Sequence, residues 1–251
     1  MSFAEDTALV PDGELRWRGR VHERWWVVKG PFGGTIAALL ARALMQSTEH
    51  PPRTLAVHFA DAPSAGEVEV SAAVERRGRS TDAISLRLEQ DGRVMALALA
   101  NAGDRRDQPA WNELPQPEAP PPETCRRVEP APVPFVGQLD VRWVAGDRAP
   151  AWNRAWVGLP GGEPLDDAFV AALSDVWMPP AFQRLDGQAI VPTLDLTIHW
   201  RAPIPEGTRW LLAEHRSLHA GGGTWTCDGT LWSPDGTVLS QARQLALLRR
   251  L

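Results

Sequence analysis

The stretch TLDLTIHWRAP (residues 193–203) has an earlier counterpart in TLAVHFADAP (residues 54–63). Each opens on Thr-Leu, runs through a short apolar stretch to a His and an aromatic residue, and reaches Ala-Pro soon after. Short runs rich in Val, Ile, Thr and aromatic residues, closed by a proline, read as strands. A chain that writes one such strand twice invites a comparison of everything around it.

Before the earlier copy lies PFGGTIAALLARALMQ (residues 31–46). Ile36, Leu39, Leu40 and Leu44 follow helical spacing, and Gly33-Gly34 precedes the first turn. Strand patterns follow over residues 54–60, 67–75, 82–90 and 94–102, with Asp91-Gly92 marking a tight hairpin between the last two. The later copy has the same surroundings. A helix is predicted over residues 164–177, with Pro164 suited to its opening turn and Asp166 as candidate cap. Strands are predicted over 193–200, 209–218, 224–232 and 238–248, and Asp235-Gly236 falls where Asp91-Gly92 fell. Strand-like material also precedes each helix, over 15–28 in one half and over 139–146 and 153–159 in the other. Three landmarks in one order point to an internal duplication.

Between the copies, DQPAWNELPQPEAPPPETCRRVEPAPVP (residues 107–134) holds 9 of the 23 prolines. Proline removes a backbone donor and fixes φ, so this run reads as an extended linker. The expected division is an N-terminal unit over 1–103, a linker over 104–134 and a C-terminal unit over 135–251. Each unit sets one helix on an antiparallel sheet, an α+β arrangement. Two units joined edge to edge would cover the unpaired strand edge that each leaves alone.

The 251 residues suffice for a sizeable core, with 43% hydrophobic and 23% charged residues. A formal net charge of −5 argues against nucleic acid. No apolar run reaches the roughly 18 residues of a membrane span. The acidic N-terminus lacks a signal pattern, so a cytoplasmic location is expected. Two cysteines, Cys125 and Cys227, build no metal site, and His215 and His219 supply two ligands where a site needs more. No metal and no cofactor are expected.

Taken together, these stretches resemble the acyl-CoA thioesterase II family, the double-hotdog thioesterases. PFGG before the helix, RRGRS (residues 76–80) ahead of a strand and QDG (90–92), LSD (173–175), TLD with WRAP, and DGTVLSQARQLALLRR at the C-terminus carry the likeness. It spans most of the chain outside the linker. The resemblance implies a double hotdog: two helix-on-sheet units forming one continuous sheet. It also implies hydrolysis of acyl-CoA to free acid and CoA, in a homodimer or higher homo-oligomer. The family's polar trio maps onto Asp175, Thr193 and Gln244 as catalytic residues. Gly33, Gly34, Arg79 and Ser80 fall in the matching motifs and are the candidate substrate contacts. Trp177, beside Asp175, joins them as a candidate for shaping the acyl site. Leu245 and Ala246 stand where the family often has Glu-Gly.

Thioester hydrolysis requires an activated water and donors for a developing oxyanion. Asp175 supplies a proton acceptor, while Thr193 and Gln244 each carry donors and acceptors to fix the water. The guanidinium of Arg79, with Arg76 and Arg77 beside Gly78, suits an anionic phosphate. The duplication offers an internal control. Matching the helices puts Ala41 opposite Asp175, matching the hairpin turns puts Ala100 opposite Gln244, and matching Thr-Leu puts Thr54 opposite Thr193. The expectation is one active site per chain, in the second half. Two other functions compete: a non-catalytic acyl-ligand binding protein, and a hotdog hydratase or dehydratase. The latter needs a catalytic His, for which His58-Phe59 is a poor match.

Overall fold

The computed structural model describes residues 2–106, 109–129, 133–146, 150–185 and 189–250. In the first half come β1 (Arg16–Val21), α1 (Gly33–Ser47), β2 (Pro52–Phe59), β3 (Gly66–Arg76), β4 (Thr81–Gln90) and β5 (Arg93–Gly103). In the second come β6 (Arg126–Arg127), β7 (Asp140–Ala145), β8 (Trp152–Gly158), α2 (Asp167–Ser174), β9 (Thr193–Trp200), β10 (Leu211–Arg216), β11 (Thr224–Trp232) and β12 (Val238–Leu247). These strands belong to one 14-stranded sheet. From the two-residue strand Val10–Pro11 its order is β1-β3-β4-β5-β2-β9-β12-β11-β10-β8-β7-β6.

The two halves meet at the repeated strands themselves. β2 and β9 pair antiparallel, with His58 opposite Asp195, Ala56 opposite Thr197 and Thr54 opposite His199. The joint hides the edge that each unit would otherwise expose, so the expected double hotdog is what the chain forms. Each inner strand carries a bulge at its start, between Pro52 and Thr54 in β2 and between Thr193 and Asp195 in β9. Aligning the bulges places Pro52 on Thr193 and Ala56 on Thr197. A local two-fold axis therefore passes between Ala56 and Thr197.

Turn chemistry sets the hairpins. Asp91 and Gly92 both have positive φ, 52° and 72°, the conformation a two-residue hairpin demands. β1 and β4 alternate exposed or half-buried with buried residues, the pattern of strands with one face on a core. α1 is buried nearly all round. Its leucines and Ile36 join the core, and Ala37, Ala38, Ala41 and Ala43 keep the remaining surface thin enough to bury as well. α1 and α2 pack against one another over the inner face of the sheet.

The linker run does more than connect. Its residues 116–120 lie on the outer face of the second half. There Trp156 Nε1 donates to Pro120 O (2.8 Å), Arg154 to Glu118 O (3.3 Å), and Gln116 to Ser233 O (3.1 Å). This cover explains why β8 and β10 are buried on both faces, and it encloses Trp156 and Trp232 with Leu212 in a cluster outside the sheet. Seven of the twelve tryptophans, Trp156 and Trp232 among them, are buried. Among the described residues only Trp111 is a strongly exposed one. No described helix is long and apolar enough to cross a membrane.

Candidate active site

Asp166 caps α2 as anticipated, its carboxylate accepting from Phe169 N–H (2.9 Å). The helix then stops at Ser174, short of the predicted end at residue 177. Asp175 turns extended (φ −73°, ψ 146°), and its own carboxylate accepts from Val176 N–H (2.9 Å). Pro179 and Pro180 follow, and neither can extend a helix. A buried hydroxyl pair, Ser174 Oγ and Ser240 Oγ at 3.0 Å, fixes the helix end to β12.

Gln244, four residues along β12 from Ser240, reaches the same place. Its Oε1 accepts from Val176 N–H (3.1 Å) and its Nε2 donates to Thr193 Oγ1 (3.3 Å). Thr193 stands at the bulge that opens β9, and bulges re-aim side chains in this way. Asp175 and Gln244 are 3% and 2% exposed, whereas Thr193 is half-buried at the rim. The three residues named from the sequence are therefore neighbours, brought together from a helix end and two strands.

The first half contributes as well. α1 starts after Phe32 with no side chain capping its first turn. The Asp175 carboxyl lies against the Gly33-Gly34 start of α1 instead, where the Gly34 N–H favours its charged form, so an acid of one half serves the positive helix end of the other. The Gly33-Gly34 pair makes the approach feasible. A Cβ on Gly33 would sit 2.8 Å from Asp175 Oδ2, and one on Gly34 would sit 2.2 Å from Ala172 O. The only advance sign of this contact was two glycines preceding a helix. The backbone N–H of Val176 gave none, because any residue type supplies it.

Burial pushes the Asp175 carboxyl up to about 7, against the opposing bonds from Val176, Gly34 and Gln244. An ionisation there is matched to general-base work near neutrality. Cys227, opposite Gln244 on β11, is buried, and burial drives its thiol well above the usual range, so it is no nucleophile. Trp177 is buried beside the trio with its ring edge-on to Trp143 at 5.9 Å.

Other candidates lie elsewhere. Arg79 is exposed and Ser80 half-buried, and both stand where Thr81 pairs with Gly103. That is the Arg201 end of β9, since Arg105 from the same corner donates to Arg201 O (2.8 Å). Thr193 is at the other end, roughly 25 Å away along an extended strand. Nearby, Arg76 bonds Thr81 Oγ1 (2.8 Å) and Arg77 lies 3.7 Å from Asp82. His58 is exposed on the outer face, away from Asp175. His215 is buried within β10, whereas His219 is exposed beyond its end. Among the described residues no three His, Cys, Asp or Glu side chains are grouped to hold a metal.

The local two-fold axis relates this site to a second position. There Ala41 stands for Asp175, Ala100 for Gln244 and, by the bulges, Pro52 for Thr193. The match of Thr54 to Thr193 is corrected: Thr54 corresponds to Asp195. Thr54 Oγ1 instead accepts from the backbone and side-chain N–H groups of Asn101 (3.2 and 3.1 Å). Identical Thr-Leu pairs misled by two residues because the bulge, not the dipeptide, sets the register.

Two adjoining family models match the chain. The acyl-CoA thioesterase N-terminal domain covers residues 22–103 and the acyl-CoA thioesterase C-terminal domain covers 107–248. A conserved protein with a hot dog fold from Alicyclobacillus acidocaldarius is 31% identical, over 99% of this chain and 98% of its own, with a TM-score of 0.92. A provisionally assigned thioesterase II from Thermobifida fusca is 26% identical over 99% and 97%, with a TM-score of 0.88. The acyl-CoA thioesterase II TesB2 of Mycobacterium marinum shares the fold at 19% identity, over 100% and 99%, with a TM-score of 0.80. A search of curated proteins yields no match. With both domain models matched in order along nearly the whole chain, the protein belongs to the acyl-CoA thioesterase family and is a thioester hydrolase.

Proposed function

We propose that the chain hydrolyses acyl-CoA to free acid and CoA with Asp175 as general base. The observation that carries this is the convergence of Asp175, Gln244 and Thr193 around a carboxyl whose ionisation lies near neutrality. The Asp175 carboxylate takes a proton from a water that Gln244 and Thr193 orient. The water oxygen adds to the thioester carbonyl, whose oxygen rests against the N-terminus of α1 at Gly33, beside the Gly34 amide that serves Asp175. Amide donors at that helix end favour the negative charge. Collapse of the tetrahedral species expels the CoA thiolate. Trp177 shapes the acyl side of the site, and Arg79 and Ser80, at the far corner, would meet the coenzyme only at its nucleotide end.

The same reading divides the chain at residues 103 and 134 and places it in the cytoplasm. It makes the working form a homodimer or larger. Leu97 and Leu99, exposed on the outer face of the first half, are the apolar surface available for such contact. A non-catalytic acyl binder would have no use for a buried carboxyl held near neutrality. A hydratase would need a histidine acting as acid or base at the site; His58 is on the opposite face, and burial pushes the His215 imidazole down to about 4. The test is free-thiol release across a panel of acyl-CoA chain lengths. Release at a rate proportional to enzyme supports hydrolysis, and saturable binding without release would replace it with the binding reading. Light scattering that returns a monomer at micromolar concentration would remove the oligomer.

A further inference from the structure

After α2 the chain crosses the inner face of the second-half sheet as a strap, from Asp175 to the turn Pro180–Arg184. At its near end the strap is held by Gln244. At its far end Asn153, on β8, donates from Nδ2 to Met178 O (2.7 Å). Gln183 then donates to Gly146 O (2.5 Å), just past the end of β7, and to Trp152 O (3.0 Å), at the start of β8.

Asn153 is an unusual residue for its place. It is 0% exposed, in a sheet interior otherwise furnished with Ala155 and Val157. Its cross-strand neighbour is His215, 1% exposed, whose ring covers Gly229 so closely that a Cβ there would stand 3.0 Å from it. Asn153 Oδ1, both nitrogens of His215 and Trp177 Nε1 are without hydrogen-bond partners among the described residues. A buried amide with its oxygen unsatisfied is costly, and an apolar residue of the same size would avoid the cost. The bond to Met178 is what the asparagine gains, and Met178 is three residues from Asp175.

We infer that Asn153 is a positioning residue for hydrolysis: by holding the Met178 carbonyl it fixes the strap, and with it the Asp175 carboxyl against Gln244 and the N-terminus of α1. This rests on the reading of Asp175 as the base. Around that carboxyl, β12 presents Gln244, β11 presents Cys227, and α1 presents its backbone amides. β10 and β8 present His215 and Asn153 beneath the strap. A small displacement of a catalytic group is enough to cost about 10²-fold in rate.

The experiment is a double-mutant cycle with acyl-CoA as substrate, read as kcat, KM and the pH midpoint of kcat/KM. Asn153→Leu keeps the branched outline and removes the donor. In the wild-type background it is expected to lower kcat by ~10–10²-fold with KM little changed, and to move the pH midpoint. In the Asp175→Asn background it should cost less than about twofold, because it acts through the residue already disabled. Equal losses in both backgrounds, or an unmoved midpoint with unchanged kcat, overturn the inference. Should Asn153→Leu fail to fold by circular dichroism, Asn153→Ser, which is smaller and cannot reach Met178, is read in the same cycle. Full activity in Asp175→Asn alone would instead remove the assignment of the base, and this inference with it.

Discussion

The two ends of the helix pair began as copies and now do opposite things. At one end α2 stops, Asp175 turns out of the helix, and its buried carboxyl meets the glycine start of α1 with no cation beside it among the described residues. At the other end α1 runs on through Ala41 and Arg42, and Arg42 Nη2 meets Asp166 at the start of α2 at 2.6 Å. Asp167 and Arg105 lie close by, each shifted first by burial and then by neighbouring charges. Where the first position leaves an acid unneutralised, the second fills the same room with an ion pair. At the first position burial raises the Asp175 carboxyl with no opposing guanidinium charge, while at the second burial raises Asp167 and the charges of Arg105 and Arg42 oppose it.

The largest effect should come from emptying the first position. Asp175→Asn retains shape and removes the base, so turnover should fall by ~10²–10⁴ with the fold intact by circular dichroism. Ala41→Asp, the reciprocal change, should create no activity, since Ala100 and Pro52 offer nothing to hold a water. Hydrolysis that survives Asp175→Asn at the wild-type rate would mean that the chemistry lies elsewhere.

The fold was largely legible because duplication repeats its signals. Two glycine-marked hairpins, two helices and two matching strands each confirmed the other, and edge pairing had only one sensible partner. The trio was also legible, but through family likeness more than chemistry: an aspartate at a helix end and a glutamine in a strand are ordinary alone. What stayed hidden depends on backbone and register. The register of Thr54 was obscured by a bulge that leaves no composition signal. The helix end at Ser174 is fixed by bonds to Asp175 and Ser240 that become visible only in three dimensions. The linker's cover over Trp156 and Trp232 could not be read from prolines, which announce an extended chain but not the surface it follows.

A second prediction sharpens the electrostatic contrast. With Asp175 pushed up to about 7, kcat/KM should fall about tenfold per pH unit below that value and level off above it. The linkage sign follows. The folded carboxyl ionises above its unfolded value, so its stabilising contribution is full below about pH 4 and is lost as pH rises through about 7. The melting temperature of Asp175→Asn relative to wild type should therefore climb between pH 5 and pH 8. A pH profile with its midpoint near 4 would show that the carboxyl is solvated in the working enzyme.

Gln244→Ala should cost less than the loss of the base, about 10–10²-fold, and Thr193→Ala, at the half-buried rim, less again. Combined with Asp175→Asn, neither should add its full single effect, because all three act on one water. Fully additive losses would separate Gln244 from that water and leave it with the structural task of holding Val176.

The smallest effects should come from the second position, and they test whether its ion pair is only filling. Arg42 is mostly buried but Asp166 is about two-fifths exposed, so the pair is screened on one side and should contribute no more than about 1 kcal/mol. Arg42→Met keeps the apolar stem that packs in α1 and removes the charge. It should lower stability by that amount and leave kcat within about twofold, measured by denaturant unfolding and thiol release on the same preparation. Thr54→Ala removes only the exposed bonds to Asn101 and should change neither. A loss of turnover in Arg42→Met at full foldedness would show that the helix pair transmits between its ends. The second position would then be a support of the first rather than its disused copy.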